Sequence, residues 1–208
     1  GILLGVLSAL YQDQWIDKIL LLLATSGMAL PSFFVGIIFA WLFGYVWSDW
    51  TGLNMSGSLY EVDDLGRGEY VNWSNLVLPA LTLGIRPLSV VLQLSRNSML
   101  EVLSMDYVRT ARAKGLTTRS TLFNHALKNA LNPVVTTISG MFASLMAGAV
   151  FVEIIISWQG IGWVIVNALE KYDLPIVMGA VLIIAVIFVV VNILVDIFYG
   201  VLDPRVRV

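Results

Sequence analysis

Long apolar runs, joined by short polar segments, limit what this chain can fold into more than any other feature. The clearest run covers residues 176–195, where Asn192 is the only strongly polar residue. A helix rises ~1.5 Å per residue, so about 20 apolar residues cross the roughly 30 Å hydrocarbon core of a bilayer. The run therefore predicts a membrane-spanning helix.

Three further segments also predict spans, although each contains polar residues or prolines. Residues 19–46 are long enough to cross with a tilt, and residues 134–156 are apolar until Glu153. Residues 76–94 contain two prolines and Arg86. We therefore expect an all-α fold, a polytopic transmembrane helical bundle that forms one domain.

Composition supports this class and excludes others. Hydrophobic residues make up 58% of the 208 residues and charged residues 12%, about half the ~25% charged share of soluble domains. A net charge of −2 predicts no nucleic-acid partner. The absence of cysteine excludes a disulfide scaffold and cysteine-containing zinc sites.

Basic residues gather on one side of the expected spans, and acidic residues lie on the other. The first side holds Lys18, Arg96, Arg109, Arg112, Lys114, Arg119, Lys128, Arg205 and Arg207. The other side holds Arg67, Lys171 and an acidic loop at residues 47–74. Because cytoplasmic loops carry the excess of Lys and Arg, the first side is predicted to be cytoplasmic and the acidic loop external.

The cytoplasmic side carries a hydrophilic block at residues 100–130 that predicts two short helices joined by a turn. Residues 106–113 form the first helix, Gly115 ends it by adopting a positive φ, and residues 118–127 form the second. One interpretation is a docking surface for a protein outside the membrane. The alternative is an interfacial helix that binds anionic lipid through Arg109, Arg112, Lys114 and Arg119.

The letters of this block resemble a known family. From Asp106 it reads Asp-Tyr-Val-Arg-Thr-Ala-Arg-Ala-Lys-Gly-Leu, and Asn-Ala-Leu-Asn-Pro follows before residue 134. This resembles the cytoplasmic loop of permease subunits from binding-protein-dependent ABC importers, in the oligopeptide/dipeptide/nickel branch. Only Ala111, Gly115 and Leu127 match the general loop pattern, whereas the remaining letters match that branch. Residues 153–162 and 196–205 resemble the branch as well.

The resemblance implies that the block is a coupling loop, in which a short helix fits a cleft on a separate ATPase. The residues of that loop would be Asp106, Arg109, Ala111, Arg112, Ala113, Lys114, Gly115 and Leu116. The family has six spans, so this chain would hold the last five, with residues 1–10 as the end of a truncated first span. As a helix those residues reach only about 15 Å.

The resemblance also implies the molecular setting. The chain would form half of a translocation pathway for peptides, with nickel complexes or other small solutes as alternative cargo. Its partners would be a second permease subunit, two ABC ATPases, an extracytoplasmic substrate-binding protein and membrane lipid. The location would be a bacterial or archaeal cytoplasmic (inner) membrane, which the chain crosses several times.

No segment of the sequence indicates catalysis. There is no phosphate-binding Gly-x-x-x-x-Gly-Lys-Ser/Thr loop, no Gly-x-Ser-x-Gly elbow and no His-Glu-x-x-His helix. The single histidine cannot build a multi-histidine metal site. We therefore predict a transport subunit without catalytic residues, metal or cofactor, with ATP and Mg²⁺ bound by the partner ATPase.

Several residues within the spans are candidates for the pathway or for helix packing. Arg86 and Glu153 are ionisable groups in apolar segments, where such groups face protein or water. Gly140, Ser144 and Gly148 recur every four residues and form a small-residue stripe. Such a stripe permits tight packing within one subunit, or it lines the pathway or contacts a second subunit.

A short apolar helix is expected on the outer side within residues 157–172, too short to span. By resemblance, Trp158, Gly160 and Gly162 there would contact the binding protein, and a purely structural cap is the alternative. Two rival functions stay open. One is a gradient-driven secondary transporter, which would use carboxylates or broken helices near the midplane. The other is a non-transporting membrane scaffold.

Overall fold

The computed structural model describes residues 1–62, 68–122 and 126–202. Its helices are α1 (Ile2–Leu10), α2 (Trp15–Ala29), α3 (Ser32–Trp41), α4 (Ser48–Thr51), α5 (Ser74–Ser104), α6 (Asp106–Ala113), α7 (Thr118–Thr121), α8 (Leu127–Ala130), α9 (Asn132–Ile156), α10 (Ile161–Glu170) and α11 (Leu174–Leu202). After α3 the chain continues as a π-helical turn, Leu42–Val46. Strands β1 (Tyr60–Val62) and β2 (Glu69–Val71) pair antiparallel in the outer loop.

The all-α membrane class is confirmed. Within the described residues, α5 and the segment Leu174–Leu194 of α11 are each long and apolar enough to cross a membrane. The number rises to four if two bent pairs each count as one span. These pairs are α2 with Ser32–Val46, and Ala149–Ile156 with α10.

Proline explains where the expected span of residues 19–46 is interrupted. α2 ends at Ala29 and α3 begins at Ser32, with Pro31 as its N-cap residue. Proline has no N–H and disfavours helical geometry at the preceding residue, so the chain leaves the helix there. In contrast, α5 continues through Pro79 and Pro87 for 31 residues and is longer than the predicted segment 76–94.

The chain divides into two compact units. Unit 1 comprises Gly1–Ala29 and Ile85–Met141, and unit 2 comprises Leu30–Gly84 and Phe142–Val208. The expectation of a single domain over residues 1–208 stays a prediction.

Each unit has its own buried cluster. The cluster of unit 1 consists of Ala9, Met99, Val102, Val108, Leu122, Ala126 and Ala130. That of unit 2 consists of Leu78, Val152 and Ile156, with Phe39, Phe43, Leu53, Leu83 and Ile155 packed against it. Within unit 1, α1 approaches α5 closely at Gly5, where a Cβ would lie 2.5 Å from the Leu92 carbonyl oxygen.

α11 exposes apolar side chains along its length. Leu182 is 65% exposed, and Ile183 and Val189 are each 54% exposed. An apolar helix with so little cover from its own chain is suited to contact with lipid.

Candidate functional site

The hydrophilic block folds around α6. This helix begins at Asp106 and ends at Ala113, as predicted. Gly115 follows with a φ of 84°, in the left-handed region that favours glycine. The Leu116 N–H donates a hydrogen bond to the Ala111 carbonyl at 3.3 Å. The helix and its glycine turn are therefore confirmed.

One face of α6 is anchored in the core of unit 1. Val108 is 0% exposed and Ala111 is 8% exposed, and their spacing of three residues puts them on the same side of the helix. Asn129 also donates a hydrogen bond to the Tyr107 hydroxyl at 2.9 Å. Ala111, a predicted member of the coupling loop, thus holds α6 in place and is not available to a partner.

The other face of α6 and the turn after it are exposed. Of the predicted coupling residues, the exposed ones are Asp106, Arg109, Ala113, Lys114, Gly115 and Leu116. The guanidinium of Arg109 lies 3.7 Å from the Asp106 carboxylate, and both side chains are largely in solvent, so the pair contributes little to stability. Arg112 also lies on α6, but its side chain is outside the described part.

Apolar side chains lie among these charges. Met105 and Leu116 are each 40% exposed and Tyr107 is 39% exposed. Nothing in the described part of the chain lies within 4 Å of the place where a Cβ on Gly115 would be. We name this exposed set (Met105, Asp106, Tyr107, Arg109, Ala113, Lys114, Gly115 and Leu116) the inner face. Its apolar centre and charged surroundings are suited to protein docking.

The second helix of the block is described only in part. α7 begins at Thr118, as expected, and α8 covers Leu127–Ala130. Residues 123–125 lie outside the described residues, so a continuous helix over residues 118–127 stays a prediction.

Glu153 caps a helix at the opposite end of the membrane segments. Its Oε2 accepts a hydrogen bond at 2.8 Å from the backbone N–H of Trp163, in the first turn of α10. The N-cap residue of α10 is Gly160, which makes no side-chain hydrogen bond. The first N–H groups of a helix lack intrahelical partners and favour negative charge. Glu153 therefore supplies the cap from α9.

Two predicted binding-protein contacts make room for this cap. A Cβ on Gly160 would lie 2.5 Å from the Glu153 carboxyl group, and one on Gly162 would lie 2.8 Å from Val150 Cα. Trp158 donates its backbone N–H to the Glu153 carbonyl at 2.8 Å. We name Glu153, Trp158, Gly160 and Gly162 the outer cap. Gly162 is buried, so its role is structural, whereas binding-protein contact by the others stays a prediction.

A hydrogen-bond network fixes the outer loop. Glu61 Oε2 accepts hydrogen bonds from Asn72 Nδ2 at 2.9 Å and from the Tyr70 hydroxyl at 3.0 Å. Its Oε1 accepts one from Asn75 Nδ2 at 2.6 Å. These donors, Asn72 first, then Asn75 and Tyr70, hold the pKa of Glu61 below its ordinary value. The carboxylate thus joins the ribbon of β1 and β2 to the start of α5.

An ion pair that the sequence did not reveal connects α2 and α5. Arg96 donates from Nε and from a terminal nitrogen to the two carboxylate oxygens of Asp17, each at 2.7 Å. Asp17 is 1% exposed. Its carboxylate also accepts hydrogen bonds from the Ser8 hydroxyl at 2.5 Å and the Asp13 N–H at 2.9 Å. Arg96 is thus a buried structural partner and not a loop cation, as the sequence suggested.

The remaining candidates are partly described. Arg86 lies on α5 and is exposed, and Gly140 lies exposed on α9. Ser144 and Gly148 also lie on α9, but their surroundings are outside the described part, so the role of the small-residue stripe stays a prediction. Among the described residues, no group of three or more His, Asp or Glu side chains could hold a metal ion.

Comparison with known proteins gives the family. Residues 1–208 match the model of the binding-protein-dependent transport system inner membrane component. The chain belongs to this family. The resemblance noted in the hydrophilic block is thereby confirmed, and the family is one of multi-pass inner membrane proteins.

Relatives of this permease chain are described as peptide permeases. It is 40% identical over 223 residues to the dipeptide transport system permease protein DppB of Escherichia coli K12. It is 41% identical to the protein of that name from Haemophilus influenzae, and 38% identical to the di/tripeptide permease DppB of Pseudomonas aeruginosa. All of this chain is aligned in each case, and it spans 66% of the relative's length.

Proposed function

We propose that this permease chain forms half of the translocation pathway of an ATP-driven importer for peptides. We further propose that the inner face couples it to a separate ATPase. The observation that carries the proposal is the construction of α6, which has a buried anchor and an exposed, partly apolar surface that the described chain leaves uncovered. The names of the relatives support peptide as cargo over nickel complexes or other small solutes.

The anchor of α6 gives the inner face a mechanical connection to the spans. Val108 packs in the same cluster as Met99 and Val102 of α5. One turn earlier on α5, Arg96 holds Asp17 of α2. A displacement of α6 would therefore move α5 and α2 together, because close-packed side chains transmit small shifts and do not absorb them.

The proposal includes partners that bind what this chain does not. A second permease subunit would complete the pathway, two ABC ATPases would bind ATP and Mg²⁺, and an extracytoplasmic binding protein would deliver the peptide. The chain itself would catalyse no reaction and bind no cofactor. It would reside in a bacterial or archaeal inner membrane, surrounded by lipid.

A matched pair of glycine substitutions tests the coupling. Gly115 and Gly52 both have positive φ, at 84° and 63°, and neither has a described atom within 4 Å of a built Cβ. Charge asymmetry predicts that they lie on opposite sides of the membrane. Gly115→Glu and Gly52→Glu therefore impose the same backbone strain and the same charge, but only Gly115 lies on the inner face.

The assay is ATP hydrolysis by the assembled complex in proteoliposomes, stimulated by substrate-loaded binding protein. We expect Gly115→Glu to lower the stimulation at least tenfold and Gly52→Glu to keep it. Gly115→Asn should retain most of it, because asparagine tolerates the left-handed conformation. Full stimulation with Gly115→Glu would refute the proposal. A defect that disappears when anionic lipid is omitted would favour the lipid-binding alternative.

A further inference from the structure

α5 carries a polar stripe on the side that its own chain leaves uncovered. Arg86, Gln93 and Asn97 are separated by seven and four residues, so they lie within about 40° of one another around the helix. Arg86 and Asn97 are exposed and Gln93 is half-buried. The buried side chains Leu92 and Met99 lie on the opposite side, where they pack within unit 1.

The stripe begins deep in the membrane. Arg86 follows Ser74, the first residue of α5, by twelve positions, which is about 18 Å along a helix. Trp73, 68% exposed, immediately precedes α5, at the level where tryptophan marks a membrane interface. Because the hydrocarbon core is roughly 30 Å thick, Arg86 lies near its midplane. A guanidinium at this depth is costly unless it meets water or a partner.

The two arginines of α5 differ in how their charges are satisfied. Arg96 makes two hydrogen bonds with Asp17 and its side chain is 14% exposed. Arg86 is exposed, and no described residue forms a hydrogen bond or an ion pair with it. The counter-charge for Arg86 must therefore come from outside the described chain.

The rest of the stripe is polar but uncharged. Gln93 Nε2 donates to the Thr25 hydroxyl at 3.2 Å, and Thr25 is itself exposed on α2. The polar surface thus extends from α5 onto a second helix. Amide and hydroxyl groups offer both donors and acceptors, which suits water and peptide backbone.

We propose that this stripe lines a water-filled translocation path and that Arg86 binds the carboxylate of the peptide substrate as it passes. Guanidinium and carboxylate form paired, charge-assisted hydrogen bonds, so a free carboxylate is the complement that Arg86 lacks. The inference rests on the proposed function, because it requires that the chain forms part of a transport pathway.

Single cysteines test the inference directly, since these 208 residues contain none. Gln93→Cys and Asn97→Cys report on the stripe, and Leu88→Cys reports on another face of α5 at nearly the same depth as Arg86. Leu88 is 43% exposed, so it is a matched lipid-facing control. Each variant is assembled into the full complex and treated with an anionic and a cationic membrane-impermeant thiol reagent, and labelling of this chain is quantified by mass spectrometry.

We expect labelling at positions 93 and 97 but not at 88, with protection by transported peptide. Position 93 lies about 10 Å along the helix from Arg86. Adding Arg86→Gln to Gln93→Cys should lower the anionic-to-cationic labelling ratio ~3-fold, by removal of one positive charge at that distance. Arg86→Lys should restore most of the ratio.

Three outcomes would overturn the inference. Unlabelled thiols at positions 93 and 97 would show that another chain covers the stripe. Equal labelling at position 88 would show that water access is not confined to it. A ratio insensitive to Arg86→Gln would exclude the anion site. ATPase stimulation measured on the same complexes separates the two proposals. Its loss in the unsubstituted complex refutes the proposed function, whereas normal stimulation with failed labelling refutes only this inference.

Discussion

The inner face and the outer cap use glycine for opposite purposes. Gly115 has a positive φ and open space around it, whereas Gly162 is buried against Val150 and Glu153. At the outer cap, glycine lets two helices approach and lets a carboxylate reach backbone N–H groups. At the inner face, glycine permits a sharp turn and leaves the surface free. The polar groups of the outer cap are thus satisfied within the chain, and those of the inner face await a partner.

The strongest expected effect breaks this contrast, because a fully satisfied carboxylate also lies behind the inner face. Asp17→Ala leaves Arg96 buried without its partner, and we expect a loss of about 3–5 kcal/mol in the free energy of unfolding. Unfolding in mixed micelles measures it. Asp106→Ala is the control and should change little, since its ion pair is exposed. Equal effects of the two variants would contradict the assignment of Asp17 as a buried anchor.

The outer cap should be sensitive to a single methyl group. Gly162→Ala places a Cβ 2.8 Å from the backbone atom Val150 Cα, which cannot move aside cheaply, so we expect a cost of about 1–3 kcal/mol. Gly179→Ala is the matched control in a helix with no described atom within 4 Å. It should stabilise the protein by about 0.5–1 kcal/mol, because glycine is a poor helix former. Thermal unfolding in detergent compares the two, and effects of the same sign would count against the packing argument.

Removal of the capping carboxylate should have a smaller effect. Glu153→Ala leaves the Trp163 N–H without its acceptor, and the loss of a helix cap costs about 1 kcal/mol. Glu153→Gln keeps an acceptor oxygen and should retain more than half of that stability. Amide hydrogen exchange in the first turn of α10 measures the local effect. Unchanged exchange with Glu153→Ala would show that the cap is dispensable.

Glu61 should make the outer loop sensitive to acid. Its hydrogen bonds hold the pKa in the folded loop below that in the unfolded loop. The stabilisation is therefore present above the unfolded pKa and is lost as the pH falls through the folded pKa. Hydrogen exchange of β1 and β2, corrected for intrinsic rates, should show this loss. The variant Glu61→Gln should lack the pH dependence, and identical pH profiles would contradict the assignment.

Much of the fold could be predicted because local patterns determine it. The helix at residues 106–113 and its Gly115 turn depend on a polar segment and one glycine, and both were identified in full. The apolar segment at residues 176–195 lies within α11, since a long apolar run specifies a helix by itself. The ribbon was missed because Tyr60–Val62 and Glu69–Val71 are each three residues long, too short to show an alternating pattern.

Pairings between distant residues could not be predicted. Glu153 and Gly162 were noted separately, as a pathway candidate and a partner contact, whereas the structure joins them in one cap. Asp17 and Arg96 are 79 positions apart, and no periodicity links them. A lone acid early in one apolar segment and a lone arginine late in another were the signal, since charges within spans require partners.

The separation of Asp17 and Arg96 also has a consequence for how the protein is made. A ribosome adding roughly 5–20 residues per second needs about 4–16 s to synthesise the 79 residues between them. During that interval Asp17 enters the bilayer before its cation exists. Ser8 and the Asp13 N–H, both already synthesised, are the donors available to it. They act as a temporary holder of the carboxylate until α5 arrives, so the order of synthesis is matched to the order in which the charge is satisfied.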